Sequence, residues 1–477
     1  MADGDSSGGP GGRSRRRRRR NRGGGRGDDE RPSGAQQGGQ GKGAQGHRQG
    51  QGQGGKQAYG KHKGGPKHHG SQKPHTAHKH GGQDHKHGGQ DSSALKHGGP
   101  KPGQAIGECE GLLVTDKGNH GKLRQKKNYY LPDNKTDVHV APRTIEKYKL
   151  RDGCLVKGKY GAGYGKHQFD LYEVLEIDGR PPAESMTLRP FKSLTSIDPD
   201  FHYAVGDFTK DTCMRVMDMI CPVGRGSRGL IVAPPRSGKT TLMRKFAKAI
   251  EDFYPDVHLI VLLVDERPEE ATEWSRSTKG EVYVSTNDEL PKRHVELCEV
   301  VWKRCQRLVE LGEDVILLLD SITRMARAYN NVQGNSGKTM SGGLDSRAME
   351  RPKQFFGSAR NTETAGSLTI LGTTLIETGS QMDRVIFEEF KGTGNMELVL
   401  SRKLADRRIY PAIDIERSGT RKEEKLHSAV RLRRITTLRR VLARMNFIEA
   451  MELLVTKLDD IERNDDFLAR FDVDPEA

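Results

Sequence analysis

The stretch IVAPPRSGKTTL, residues 231–242, contains a Ser-Gly-Lys-Thr-Thr sequence that could bind the phosphates of a nucleotide. Lys239 can neutralise phosphate oxygens, the Thr240 hydroxyl can ligate Mg²⁺, and backbone N–H groups around Gly238 can surround the β-phosphate. The usual pattern begins with glycine, where this chain has Ala233. Because that position at the end of a strand needs only a small side chain, the sequence predicts a phosphate-binding loop.

Two carboxylates that follow apolar runs could complete the chemistry of phosphoryl transfer. Asp320 ends the run DVILLLD and is suited to a second contact with Mg²⁺ through water. Glu266 follows HLIVLLVD and is the candidate for polarising the attacking water. Glu377 ends a further run, SLTILGTTLIE, at the same predicted edge. The alternative role for each acid is a helix N-cap or a surface ion pair.

Apolar runs alternate with helical stretches around these residues, which predicts a parallel sheet covered on both faces. The stretches that contain the runs are residues 258–270, 314–324, 367–377 and 396–401. Ligands of such sheets bind at the carboxyl ends of the strands, where the residues named above lie. A helix is predicted between the phosphate loop and Pro255 from four apolar residues, Leu242, Met243, Phe246 and Ile250.

The net charge of +16 is concentrated at the N-terminus. Residues 1–104 hold 21 of the 80 Lys/Arg residues and 7 of the 64 Asp/Glu residues, so the remainder is almost neutral. This tail contains RSRRRRRRNRGGGRG and two copies of KHGGQD. Such a composition cannot offset the entropy of ordering, so we expect a disordered basic tail that attracts RNA by charge. The alternative is a tail that serves solubility alone.

Three segments follow the tail. Residues 105–182 contain short alternating segments separated by turn residues, which predicts a small OB/cold-shock-like β-barrel. Its stretch HGKLRQKKNYY supplies positive charge suited to RNA, although the barrel could also be a spacer. Residues 183–210 show no sustained period and are predicted to be a connector. Residues 211–477 are predicted to form an α/β P-loop ATPase domain that ends in helices.

Cysteine usage and hydropathy limit the class of protein. The six cysteines lack metal-binding spacing, which indicates reduced thiols. No run of 18 apolar residues and no apolar N-terminal segment is present. The sequence therefore predicts a cytoplasmic protein with no membrane partner.

Several longer motifs together resemble the Rho family of bacterial transcription termination factors. They are GRGSRGLIVAPPRSGKTTL, VLLVDERPEE, LLLDSITRMARAYN, RPKQFFGSARN, EEFKGTGNMELVLSRKLADRRIYPAIDIERSGTRKEE and NDDF. The resemblance runs from about residue 205 to the end, is weaker over 105–182, and does not include 1–104. It implies a RecA-type ATPase that uses ATP and Mg²⁺, forms a homohexameric ring, and translocates 5′→3′ along single-stranded nascent RNA. Such a helicase ends transcription by acting on an RNA polymerase elongation complex.

The resemblance also implies roles for individual residues. Glu266 is the catalytic glutamate, and Asp320 and Thr240 are associated with Mg²⁺. Tyr410 packs on adenine, Arg421 is an arginine finger given to the neighbouring subunit, and Arg408 is a second arginine acting in trans. The residues implied to line the ATP phosphates are Gly224, Arg225, Gly226, Ser227, Arg228, Gly229, Arg236, Ser237, Gly238, Lys239, Thr240, Thr241 and Arg267.

Two loops are implied to bind RNA in the central channel of the ring. The first contains Lys338, Thr339, Met340, Ser341, Gly342 and Gly343, and the second contains Gly379 and Ser380. The family usually has lysine where this chain has Gln381, so one RNA-facing charge is missing. A second Gly-Lys-Thr at 337–339 has no apolar strand before it, so it is not expected to bind nucleotide.

The barrel departs from the family at the residues that stack on bases. Aromatic positions of the family fall here at Asn119–Lys122, His139 and the pair His167 and Gln168. The barrel residues predicted to contact RNA are His120, Lys122, Arg124, Asp137, His139, His167 and Gln168. Base stacking is thus largely removed or left to histidines, and we hypothesise that the basic tail compensates by loading RNA through charge.

Two other functions fit parts of the sequence. A rotary-type ATPase subunit also places a small barrel before a phosphate-loop domain, but the basic barrel, Lys338 and the tail do not favour it. A non-catalytic RNA-binding protein dominated by its tail would not need Lys239, Glu266, Asp320 and Arg421. Stimulation of ATP hydrolysis by RNA separates the helicase from both.

Overall fold

The computed structural model describes residues 104–116, 118–333 and 341–472. The predicted tail up to Gly103 and the predicted channel residues Lys338, Thr339 and Met340 lie outside these ranges. No helix among the described residues is both long enough and apolar enough to span a bilayer.

The N-terminal part is a closed barrel with the strand order β1-β2-β3-β5-β4. Its elements are β1 (Ala105–Thr115), β2 (Gly121–Arg124), β3 (Val138–Val140), α1 (Pro142–Lys147), β4 (Leu155–Ala162) and β5 (Phe169–Ile177). Alternating residues such as Leu113, Leu123 and Val156 fill its interior because successive side chains of a strand point to opposite faces. The predicted OB-like barrel is confirmed.

The predicted connector contains α2 (Pro182–Ser185) and β6 (Ser196–Ile197), and α3 (Thr212–Ile220) follows it. Strand β6 pairs with a short strand of the next domain, β11 (Asn361–Thr362). The connector is therefore fixed to the ATPase domain by a two-stranded sheet, which the aperiodic sequence did not indicate. Helix α3 begins where the Asp211 carboxylate accepts a hydrogen bond from the N–H of Met214, 3.1 Å away.

The ATPase domain is built on a seven-stranded sheet with the order β14-β13-β7-β12-β10-β8-β9. Its strands are β7 (Arg228–Ala233), β8 (His258–Glu266), β9 (Glu281–Thr286), β10 (Asp314–Asp320), β12 (Ser367–Leu375), β13 (Met396–Val399) and β14 (Gly419–Thr420). All pairs are parallel except β13 with β14. The strands β7, β12, β10 and β8 lie in the middle, so their carboxyl ends meet along one edge.

Helices cover both faces of this sheet, as the continuous apolar strands predict. They are α4 (Lys239–Phe253), α5 (Pro268–Ser277), α6 (Pro291–Glu310), α7 (Ile322–Gln333), α8 (Glu350–Phe356), α9 (Gln381–Lys391), α10 (Arg402–Asp406), α11 (Ala429–Leu442), α12 (Phe447–Asp459) and α13 (Asn464–Leu468). Ile231 and Ala233 pack into the core on one face, with α3, α4 and the C-terminal helices. Leu230 and Val232 pack into the core on the other, with α6 to α9. The predicted α/β P-loop architecture is confirmed.

The C-terminal helices are attached to α3 by a buried arginine. Arg215 donates from Nε to the Asn464 side chain (3.0 Å) and from Nη1 to the carbonyl of Leu458 (2.7 Å). A buried guanidinium is tolerated only when such acceptors satisfy it, so the predicted terminal helices are part of the ATPase domain.

Candidate nucleotide and RNA sites

The phosphate loop lies at the carboxyl end of β7. Ala233 ends the strand and is fully buried, which leaves no room for a larger side chain. The Ser237 hydroxyl donates to the carbonyl of Pro234 (2.8 Å) and closes the bend. Gly238, with φ of 87°, then starts α4. That conformation favours glycine, and a Cβ there would lie 3.5 Å from the Tyr410 ring.

Lys239 and Asp320 meet at the edge of the sheet. Lys239 Nζ lies 2.5 Å from Asp320 Oδ1, and the Thr373 hydroxyl donates to the same oxygen from 2.8 Å. The other oxygen, Oδ2, is buried and has no hydrogen-bond partner among the described residues. A buried carboxylate oxygen without a partner costs free energy unless a ligand satisfies it. The arrangement therefore has one carboxylate position ready for an added donor or cation.

Glu266 is the second buried acid at this edge, with 2% of its surface exposed. Burial, and then the nearby Asp320 charge, raise the pKa of Glu266 to about 7, although Lys239 and Arg324 oppose the shift. Arg324 Nη1 lies 3.4 Å from its Oε2. A carboxyl group that titrates near neutral pH in a buried site is well suited to accepting a proton.

A pocket of about 750 Å³ opens beside the phosphate loop. Arg236, Ser237, Gly238 and Thr241 form one side of it. The opposite side contains Tyr410 and the two residues that follow it, Pro411 and Ala412, together with Cys213 and Val455. Tyr410 is 44% exposed, so a ring face is free for a planar group. The volume and lining suit a nucleotide base next to its phosphates.

The described part of the first predicted channel loop lies against the second loop. Ser341–Gly343 forms a short 3-10 turn, and a Cβ on Gly342 would lie 2.8 Å from the backbone nitrogen of Met382 at the start of α9. Gly379 has open space around it, and the Ser380 hydroxyl caps α9 by accepting from the N–H of Asp383 (3.4 Å). Both loops thus end at one surface, next to Gln381.

Comparison with known proteins identifies the relatives of this chain. A family model described as the ATP synthase alpha/beta family, nucleotide-binding domain, matches residues 213–420. The transcription termination factor Rho of Haemophilus influenzae is 48% identical over 363 residues, which cover 75% of this chain and 86% of that protein. The chain belongs to the Rho family. Rho of Pseudomonas aeruginosa (48% over 373 residues, 77% of this chain and 88% of that protein) and Rho of Escherichia coli K12 (48% over 364 residues, 75% and 86%) are equally similar.

Six residues that the Rho resemblance implies to line the ATP phosphates do not line the pocket beside the phosphate loop of their own chain. The six residues Gly224–Gly229 lie at the amino end of β7, where Arg225 binds Asp314 at the start of β10 (3.1 Å). Residues 224–227 precede β7, whose length of roughly 20 Å separates them from the phosphate loop, and Arg228 and Gly229 are the first two residues of that strand. None of them lines the pocket. These residues are close to the phosphate loop in sequence but not in space, because a strand carries the chain across the sheet between them, and their contact with a nucleotide stays a prediction.

The arginine predicted to act in trans lies at that same amino edge. The N–H of Arg421 donates to the carbonyl of Asn395 just before β13 (2.7 Å), and its side chain lines a separate cavity of about 280 Å³. Arg408 is exposed at the opposite edge, two residues before Tyr410, and Arg267 is exposed directly before α5. None of these three arginines lines the nucleotide pocket of its own chain.

Several polar residues near the carboxyl edge of the sheet in the Rho-family domain were missed by sequence reasoning. Arg324, in the first turn of α7, approaches Glu266, and Glu270 lies 3.4 Å from the Thr240 hydroxyl. Arg327, one turn further along α7, binds Asp383 through two hydrogen bonds of 2.8 and 2.6 Å. Helical spacing from Asp320 could have indicated the two arginines, but not their partners. Glu377 follows β12 with φ of 55° and does not line the pocket.

Three of the predicted barrel residues are in contact with one another. The rings of His139 and His167 stack at 3.7 Å with an interplanar angle of 3°, and His120 Nδ1 lies 2.9 Å from His139 Nε2. His139 Nδ1 in turn lies 2.7 Å from an oxygen of Asp170. The barrel of this Rho-family member thus has a histidine surface made of β3 and the residues that directly precede β2 and β5.

The remaining predicted barrel residues differ in their surroundings. Lys122 Nζ donates to the Asn134 side chain (3.1 Å) and is next to the histidines, while Gln168 is exposed. Arg124 is half-buried and points to the carbonyl of Tyr130 (3.5 Å). Asp137 is 7% exposed, and burial raises its pKa. Arg124 and Asp137 are therefore placed to support the barrel rather than to present a surface.

Proposed function

We propose that this chain is an ATP-driven RNA translocase that ends transcription. In this proposal six copies form a ring, nascent single-stranded RNA passes through the centre, and the motor acts on an RNA polymerase elongation complex in the cytoplasm. The observation that carries the proposal is helix α7. It contacts the buried Glu266 through Arg324 and the second RNA loop through Arg327 and Asp383. One rigid element thus joins a nucleotide site to a polymer site.

The phosphate loop and α4 supply the binding of the triphosphate. Backbone N–H groups from Ser237 to Thr241 point towards the phosphates at a helix N-terminus, which favours anions. Lys239 leaves Asp320 and contacts phosphate oxygens, because both acceptors compete for the same ammonium group. Tyr410 stacks on the base, whose pocket it already borders.

The residues present fit a magnesium ion next to the phosphates. Asp320 has a buried oxygen without a partner, and Thr240 offers a hydroxyl; Mg²⁺ takes oxygen ligands of this kind and keeps several waters. When bound, the ion neutralises charge on the phosphate oxygens. Thr373 then holds the Asp320 carboxylate in place through its 2.8 Å hydrogen bond.

Glu266 orients the attacking water and accepts its proton. Its burial provides a site that excludes bulk water, and its pKa near 7 matches the working pH of a cell. Arg324 fixes the side of the carboxylate that faces α7. A shift of α7 therefore changes where the base lies relative to the γ-phosphate.

The ring supplies a charge that a single chain lacks. Arg421 lies at the amino edge of the sheet, a strand length from its own phosphate loop, so it can reach a nucleotide only on a neighbouring subunit. An arginine acting in this way accelerates phosphoryl transfer by about three to five orders of magnitude. Arg408 is proposed as a second arginine that acts on the nucleotide of a neighbouring subunit. Residues Gly224–Gly229 lie on the same edge of the sheet as Arg421.

ATP hydrolysis measured with and without homopolymer RNA tests the proposal. We expect strong stimulation by single-stranded RNA, which a rotary-type ATPase subunit would not show. Glu266→Gln should keep ATP binding and remove turnover, because the amide cannot accept the proton. Hydrolysis at full rate by a monomer, without any dependence on RNA, would refute the motor proposed here. RNA binding without hydrolysis would favour a passive RNA-binding protein.

A further inference from the structure

Three histidines and one aspartate form a continuous chain of contacts on the barrel surface. Asp170 of β5 lies 2.7 Å from His139 Nδ1, and His139 Nε2 lies 2.9 Å from His120 Nδ1. His167 stacks on the other face of the His139 ring. The His139 side chain is 11% exposed, whereas His120 and His167 are exposed. The chain therefore leads from a shielded carboxylate to the solvent.

The hydrogen bonds fix the tautomers of His139 and His120. A carboxylate only accepts, so His139 Nδ1 must carry a proton and donate to Asp170. In the neutral ring His139 Nε2 is then bare and accepts from His120 Nδ1–H. His120 Nε2, the ring nitrogen not used in the chain, is in consequence a bare acceptor that repels a phosphate oxygen.

One added proton reverses the outer hydrogen bond without breaking it. With a proton on Nε2, His139 donates to His120 Nδ1, and the proton of His120 moves to its Nε2. The exposed nitrogen becomes a donor, and the chain changes by one positive charge. A second proton would place two N–H groups against each other, so the chain holds one.

We propose that these three histidines and Asp170 form a proton-controlled contact for RNA phosphate on the barrel, which turns from repulsive to attractive when it takes up one proton. The proposal rests on the proposed RNA-binding function and adds its regulation. Transcript loading onto the ring would then depend on the acidity of the surroundings.

The charged groups around the histidines can accommodate one added positive charge. Asp116 accepts hydrogen bonds from the backbone of His120 (3.1 Å) and adds a negative charge next to β2, while Lys122 supplies the neighbouring positive charge. Desolvation and then the charge of His139 lower the pKa of His167, whose ring stacks on that of His139. The second oxygen of Asp170 accepts from the backbone of Tyr164 (2.8 Å) and holds the carboxylate in place.

The test is the binding of fluorescent oligouridine to the full-length chain at about pH 8 and about pH 6. Histidine can change its charge between these values, whereas uracil stays uncharged at both. An oligonucleotide of about six residues fits one barrel of this kind. Ten of the seventeen histidines lie in residues 1–104 and add their own pH effect, which cancels when variants are compared with the parent chain. The affinity of the parent chain for oligouridine should be higher at low pH. We expect His139→Asn, which keeps an N–H near the Nδ1 position, to reduce this gain in affinity by about two- to fivefold.

The salt dependence separates a phosphate contact from a change in folding. At low pH the slope of log affinity against log salt should be less steep in His139→Asn by about 0.7, the value for one phosphate of a single strand. His120→Gln removes the exposed ring that bonds to His139 at the solvent end of the chain and should give the same result. His258→Gln, which removes a histidine paired with Glu281 (3.1 Å) in the ATPase domain, should keep the full gain.

The outcomes distinguish this inference from the function on which it rests. If both barrel variants keep the parental gain and slope, the proton-controlled contact is refuted while RNA binding stands. If the parental chain binds no oligouridine at either pH, the proposed RNA-binding function itself is refuted, and this regulation with it.

Discussion

Arg327 of α7 binds the carboxylate of Asp383 in α9 through two hydrogen bonds, of 2.8 and 2.6 Å. The Asp383 side chain is only 1% exposed and also accepts from the Thr378 hydroxyl (2.6 Å), so the second of the two loops predicted to bind RNA is held to α7. One turn earlier, Arg324 lies 3.4 Å from Glu266. On the proposed function, a displacement of this loop by RNA would be transmitted to the buried Glu266 through one turn of helix.

Substitution of Arg327 should uncouple hydrolysis from RNA. Arg327→Ala leaves a buried carboxylate without its charged partner, at a cost of about 1–3 kcal/mol, and frees the loop from α7. We expect basal hydrolysis to remain and RNA stimulation to fall sharply, as measured by ATPase titrations with poly-uridylate. Arg293→Ala, which removes a partly exposed pair with Glu289, is the matched control and should keep the stimulation. Equal stimulation in both variants would show that α7 does not transmit RNA binding.

The pH dependence of hydrolysis should report Glu266. Because burial raises its pKa to about 7, the carboxyl is mostly protonated at lower pH and cannot accept a proton from water. With RNA saturating, kcat/KM for ATP should therefore rise through about pH 7 and level off above it, since this parameter reports ionisations of the nucleotide-free enzyme. Glu266→Gln should lower kcat by about a hundredfold or more and remove this rise. A profile that is flat from acid to neutral pH would remove Glu266 from the role of base.

Mixed rings should show that Arg421 acts between subunits. Arg421→Ala and Lys239→Ala should each lower hydrolysis severely, by about three orders of magnitude or more for the arginine. After mixing and reassembly, roughly a quarter of the interfaces combine an intact phosphate loop with an intact Arg421, so activity should reappear. The control mixes Arg421→Ala with Glu266→Gln carrying the same Arg421→Ala change, which restores no complete interface. A mixture as inactive as its parents would contradict action in trans.

The basic tail should carry much of the affinity for RNA. Deletion of residues 1–104 removes a net charge of +14, from 21 basic and 7 acidic residues. We expect weaker RNA binding, with the largest loss at low salt and a less steep salt dependence, because fewer counterions are released. Fluorescence anisotropy over a salt series measures both. Equal affinity of the shortened and full chains would leave the tail with solubility as its role.

The parts of the fold that the sequence predicted are those set by local pattern. Unbroken apolar runs gave β8, β10 and β12, and the residues at their ends, Glu266 and Asp320, lie beside Lys239 as expected. The small residue Ala233 at the end of β7 is also explained by position alone. In each case a strand fixes both the burial of the run and the edge where its last residue emerges.

Residues that depend on tertiary contact were predicted poorly. Arg327 and Asp383 are 56 positions apart, and their pairing requires α7 and α9 to lie side by side. The histidine chain joins residues 120, 139, 167 and 170 through barrel pairing, which hydropathy does not encode. Gly224–Gly229 shows the opposite case, because these residues are close to the phosphate loop along the chain but strand β7 lies in between.

The separation of Arg421 from the phosphate loop of its own chain has a consequence for a newly made subunit. On the proposed assembly, a newly synthesised subunit that has not yet joined a ring would bind ATP without hydrolysing it. ATP would then be hydrolysed only by assembled rings, because the width of the sheet keeps each Arg421 away from the nucleotide on its own subunit.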